Sequence, residues 1–433
     1  MPQEITILYN PIGIDRASAL KRPTKSATDL KEVVKSVFDS IAEHGDQALI
    51  DFTKRYDGVV LSSMKLESTA IADAIAQLDD DLKQSINQAY KNIKKFHETQ
   101  GVNTDRIETF SGVSCWREAR AIEAVGLYIP GGTAPLFSTA LMLGVPAQIA
   151  GCEKVILCSP PNKSGALHPA IIYAASLCGI EDIYTIGGSQ AIAAMSIGTD
   201  TIPRVHKIFG PGNQYVTAAK IMAQEYQVAI DLPAGPSEVL VYADAEANAE
   251  YIAADLLSQA EHGVDSQVVL VSTSREIFAK VQSAITEQLS DLPRRSIAEQ
   301  AIANSSFVYF DEVKDAFDFI NDYAPEHLII LSDVYQAYIP MIRNAGSVFL
   351  GHYTPESAGD YASGTNHTLP TAGYAQAYSG VSLDSFVKKV TFQHITKEGL
   401  MNLGPHIVTM AKAEQLDGHA NAVSVRMNDL KGL

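Results

Sequence analysis

From Glu108 the pattern changes to short β-rich runs separated by glycine, and from position 124 these alternate with stretches whose apolar positions recur at helical spacing. The run 124–129 ends in Pro130-Gly131-Gly132 and precedes an apolar helix over 138–149. Strands follow at 154–158, 183–186, 205–209 and 228–230, with helices at 171–177, 190–197 and 213–225 between them. A second series begins at 239–242. It continues with a helix carrying Gln259 and His262, then strands at 267–271, 306–310, 328–331 and 347–350. Strands separated by helices of this length imply parallel sheets with crossover helices, so the pattern predicts an α/β fold with two such units.

The flanks read differently. Residues 1–25 alternate weakly and turn basic at Arg16, Lys21, Arg22 and Lys25, which suggests an extended arm. Ser26 to Asp29 offer caps for a helix through Val33, Val34, Val37 and Ile41, and helical periodicity returns over 71–96. The expected division is an arm over 1–25, a mainly helical segment over 26–125 packing with the second α/β unit, α/β units over 126–237 and 238–382, and a helical tail over 383–433. The stretch 351–382 is polar, rich in Gly, Ser and Tyr, and nearly aperiodic; unstructured stretches of that length inside compact proteins are usually functional.

Composition narrows the function. A chain of 433 residues, 46% hydrophobic and 19% charged, is that of an ordinary globular protein, and its formal charge of −17 argues against a nucleic-acid partner. Cys115, Cys152, Cys158 and Cys178 show no C-x-x-C spacing and read as buried thiols of a reducing compartment. The first residues, with Glu4 among them, lack the basic-then-apolar layout of a signal peptide. The most apolar stretch, 141–157, is interrupted by Pro146, Gln148, Gly151 and a charge pair. A cytoplasmic protein without a membrane partner is expected.

Several stretches offer chemistry. Gln259 and His262, three residues apart with Gly263 behind them as a stop, would leave one helix face together and supply half of a metal site. Taken alone, the pair is better explained as a helix-terminal histidine favoured by the helix dipole, with Gln259 solvated. Glycine turns at Gly131-Gly132, Gly187-Gly188 and Gly210-Pro211-Gly212 suit a ligand crevice at strand ends. The dinucleotide fingerprint is not met, since Tyr215 stands where its third glycine belongs, although Asp231 lies about where a ribose-binding acid would. Glu326 and His327 could act as a water-activating acid and a general base, or be a surface pair leading into a strand. The segment 355–367 gathers Asp360, Asn366 and His367 among small residues, and Asp360 is a suitable oxygen ligand for a metal. Glu414 and His419 flank Asp417-Gly418.

The motifs YIPGG at 128, IGGSQAIAA at 186, KIFGPGN at 207, DLPAGPSEVLV at 231, DLLSQAEHG at 255, APEHLI at 324, PESAGDYASGTNH at 355 and EQLDGHANAV at 414 together resemble the histidinol dehydrogenase family over nearly the whole chain. The resemblance implies two incomplete Rossmann-like domains with helical extensions that exchange between the subunits of a homodimer. It implies one Zn²⁺ held by Gln259, His262, Asp360 and His419, and Glu326 with His327 as the acid–base pair. Those four metal ligands would also meet the substrate, L-histidinol, together with Ser237, His327, His367 and Glu414, while NAD would bind near Tyr128, Gln190 and Asn213. The implied reaction is a four-electron oxidation by way of the aldehyde to L-histidine, the last two steps of histidine biosynthesis. A zinc hydrolase using Glu326 and a non-catalytic binding protein on the same sheets are the alternatives.

Overall fold

The computed structural model describes residues 5–22, 27–101, 105–131, 134–233 and 235–432. Glu4, Lys25, Gly132 and the helix caps expected from Ser26 to Asp29 fall outside the described residues or side chains. Two parallel sheets organise the molecule. The five-stranded one runs in the order Asp182–Tyr184, Lys154–Cys158, Ala124–Tyr128, Lys207–Phe209, Ala229–Ile230. The six-stranded one runs Thr6–Tyr9, Ser306–Tyr309, Gln267–Ser272, Glu238–Ala243, His327–Leu331, Ser347–Leu350. Glu238–Ala243 and Gln267–Ser272 are buried along their whole length, as expected of central strands covered by helices on both faces. Each sheet therefore has a core on either side.

Three expectations need correction. The arm is not simply extended: Thr6–Tyr9 adds an edge strand to the six-stranded sheet, and a helix, Gly13–Ala19, follows it. The helical segment packs on the first α/β unit, not the second. Val34, Val37, Phe38 and Ile41 of helix Ala27–His44 share a core with Ile192 and Val216, and Ile86, Ala89 and Ile93 of helix Asp80–Glu98 share one with Leu141 and Val145. The cause is complementary apolar faces, which no local pattern encodes. The tail is not wholly helical either: after a 3-10 turn, Leu383–Phe386, it forms a strand. Strand Val387–Ile395 pairs antiparallel with Val113–Ala121, which pairs in turn with Ile107–Phe110, before helices Lys397–Ala413 and Asp417–Lys431 pack on each other.

All four cysteines are free, but only Cys158 and Cys178 are buried; Cys115 and Cys152 are half-buried. Among the described residues no helix is long and apolar enough to cross a membrane.

Candidate active site

The site forms where the two sheets meet. A small cavity is lined by Gly210 and Asp231, just after strands of the first sheet, and by Ser237 and Glu326, just before strands of the second. His367 and Lys220 also line it. The crevice thus joins carboxyl ends of one sheet to amino ends of the other.

Glu326 and His327 come together because helix Val313–Tyr323 ends at Ala324 in the left-handed conformation (φ 49°), and Pro325 leads directly into strand His327–Leu331. Both side chains are buried, with His327 Nδ1 3.7 Å from Glu326 Oε2. The Glu326 carboxylate accepts a hydrogen bond of 2.9 Å from the Glu238 backbone N–H. Burial pushes the Glu326 pKa up to about 8. Burial alone would lower that of His327, but Glu356, Glu326 and Asp360 around it hold it up at about 10.

Asp360 lies on the short helix Glu356–Tyr361, with Oδ1 3.3 Å from His327 Nε2. Glu356, one helical turn earlier, places Oε1 3.6 Å from His327 Nδ1. His327, Glu356 and Asp360 are the described histidine and acidic groups whose donor atoms all approach within 4.8 Å of one another. Glu356 lies in the 355–367 segment without being singled out there, although its i, i+4 spacing to Asp360 is legible in the sequence. Burial drives the Glu356 carboxyl well above its ordinary range. Burial also opposes ionisation of Asp360, yet the histidines His327, His367 and His262 hold its pKa below the usual carboxylate value.

Helix Ala249–Ala260 is capped by Asn248 and ends before His262, which occupies the turn beyond it. Gln259 and His262 are therefore not on one continuous helical face. His262 is nonetheless close enough to Asp360 and His327 for their charges to act on it, and burial lowers its pKa. Gln259 is fully buried with both amide atoms unpartnered, and Asp360 Oδ1 and both His327 ring nitrogens lack hydrogen bonds too. Unpaired polar atoms in an interior are costly, and this cluster of oxygen and nitrogen donors around buried acids fits a bound cation.

His367 is held at both ring nitrogens, Nδ1 3.0 Å from the Asp360 carbonyl oxygen and Nε2 3.1 Å from Thr139 Oγ1. Burial lowers its pKa. Asn366 beside it donates to the Met142 carbonyl at 2.6 Å.

At the first sheet, Tyr128 is buried and its hydroxyl accepts from the Gly188 N–H at 3.1 Å. Gln190 is buried beside Gly188, whereas Asn213 is exposed and caps helix Gln214–Ala223 through the N–H groups of Tyr215 and Val216. Gly210 adopts φ +126° and a Cβ there would lie 2.1 Å from the Tyr128 carbonyl oxygen, so only glycine fits. Asp231 is not available to a ribose: its side chain is buried against Lys220 and accepts from Gly210 N–H and Leu232 N–H. Glu414 and His419 are exposed on the tail, whose two helices pack on each other, and neither is among the groups gathered round His327.

Two parallel-sheet units closing round a buried acid–imidazole cluster define an α/β enzyme with its site at the junction. The histidinol dehydrogenase family model matches residues 20–427. A histidinol dehydrogenase of Bacteroides thetaiotaomicron is 53% identical over 96% of this chain and 97% of its own, and one of Colwellia psychrerythraea is 50% identical over 95% and 96%. The crystal structure of the enzyme from Elizabethkingia anophelis superimposes with a TM-score of 0.96 at 54% identity, covering 99% of each chain. The chain belongs to the histidinol dehydrogenase family and is an oxidoreductase.

Proposed function

We propose that this chain oxidises L-histidinol through L-histidinal to L-histidine with NAD and one zinc ion, the last two steps of histidine biosynthesis. The observation that carries the reading is the buried Glu326–His327 pair, with Asp360 3.3 Å from the imidazole, at a cavity shared by both sheets.

Zinc would be held by Gln259, His262 and Asp360, and would orient the substrate's nitrogens without redox chemistry of its own. NAD would supply the hydride acceptor from the side of Tyr128, Gln190 and Asn213. His327 would take the alcohol proton once the negative charge of Asp360, one of the groups that raise its pKa, is taken up by a cation held there. Glu326 then deprotonates the water that adds to the aldehyde, and the same basin of carboxylates stabilises His327 while it carries the proton. Ser237 and His367 border the substrate. Burial of the cluster keeps bulk water from the bound aldehyde.

The remaining ligands, Glu414 of the substrate site and His419 of the metal site, would come from a second subunit. Their exposure in the single chain supports this, as do the exposed Met410, Leu416 and Val425 on the tail helices and the turn between them, which leave apolar surface for a partner. Mixing the protein with L-histidinol and NAD⁺ should generate reduced-nicotinamide absorbance. No absorbance with either omitted, and none with both present, would leave the reading without support.

A further inference from the structure

We propose that Thr139 is a positioning residue for His367, fixing which ring nitrogen carries the proton and aiming the imidazole into the substrate cavity. The inference rests on the dehydrogenase reading only in taking His367 as a substrate contact.

The argument starts from hydrogen-bond chemistry. The Asp360 carbonyl oxygen, 3.0 Å from His367 Nδ1, can only accept, so Nδ1 bears the hydrogen. In the neutral ring Nε2 then presents a lone pair. Thr139 Oγ1 lies 3.1 Å from it, and the hydroxyl is left to donate. Thr139 is 1% exposed and sits in the first turn of helix Phe137–Ala150, which belongs to the first α/β unit. His367 belongs to the polar stretch 351–382 within the second. The bond therefore spans the junction at which the cavity opens, and it holds a ring that lines that cavity.

A histidine with one anchored nitrogen can still rotate or exchange its tautomer, whereas one anchored at both cannot without breaking a bond. Valine at 139 keeps the shape and removes the donor. Serine keeps the donor and removes a methyl group.

The test combines Thr139→Val, Thr139→Ala and Thr139→Ser with histidine-labelled ¹⁵N spectroscopy of the ring nitrogens, the His367 signals being assigned by their loss in His367→Ala. In Thr139→Val and Thr139→Ala the Nε2 signal should move towards that of a lone pair without a hydrogen bond. The KM for histidinol should rise roughly three- to tenfold, the worth of one net hydrogen bond, with kcat less affected. Thr139→Ser should restore both. In a His367→Ala background Thr139→Val should add nothing to the defect, because its effect passes through the ring. An unmoved Nε2 signal, serine as impaired as valine, or a full additive loss in the double variant would each overturn the proposal. The spectra decide it even if the wild-type protein fails to oxidise histidinol, so failure of the functional reading remains distinguishable.

Discussion

The buried ammonium of Lys220 lies 2.5 Å from the Asp231 carboxylate, and the pair holds both ends of one peptide turn: Asp231 accepts from Gly210 N–H while Lys220 donates to the Gly210 carbonyl. An acid that the sequence offers as a ribose contact is thus part of the scaffold beneath the glycine turn. Replacing one member strands the other charge in the interior, which costs about 3–5 kcal/mol. Asp231→Asn should lower stability in urea unfolding by about that amount, and Lys220→Met in the same chain should recover much of it. A single variant as stable as the wild type would show that the pair does not brace the turn.

The proposed division of labour, with Glu326 activating water and His327 serving the alcohol, has a kinetic consequence. Glu326→Gln removes the water-activating carboxylate and should slow oxidation of the aldehyde by roughly 10² to 10⁴. Oxidation of the alcohol, which needs His327, should suffer much less. Single-turnover measurements starting from each substrate separate the two steps. Equal damage to both would dissolve the assignment.

Much of this could be read from the residues alone, and the misses have physical causes. The central strands were legible because apolar runs such as 239–243 and 268–271 are bounded by polar residues, Glu238 and Asp244 around the first and Gln267 and Ser272 around the second. Thr6–Tyr9 was not, since an edge strand with exposed ends carries no inward–outward contrast. Val387–Ile395 is largely exposed along its length, and its identity comes from pairing with Val113–Ala121, far away in the chain. Glu326, His327 and Asp360 stood out by residue type, but Lys220 and Thr139 are ordinary helix residues until the sheets bring Asp231 and His367 to them.

The proposed metal should matter to catalysis and not to the fold. Its ligands come from distant segments, and both α/β units have cores of their own. Chelation should abolish turnover while circular dichroism stays native, and added zinc should restore activity. Loss of helical signal together with the metal would contradict this.

Tail exchange can be tested by complementation. His327→Ala and His419→Ala chains, each inactive, are unfolded together and refolded as an equal mixture. About half of the dimers are then mixed, and with exchanged tails one site in each mixed dimer is wholly wild type, so about a quarter of full activity should return. If the tails bound in cis, every site would carry a defect. A mixture as inactive as its parents, with mixed dimers verified by mass, would rule exchange out.

The central claim is that one site carries out both oxidations without releasing the aldehyde. The most direct measurement is the stoichiometry of nicotinamide reduction with limiting L-histidinol, an excess of NAD⁺ and an aldehyde-trapping amine in solution. The account predicts two NADH for each histidinol consumed, histidine as the product and no trapped aldehyde. One NADH per histidinol with the aldehyde recovered in the trap would contradict it.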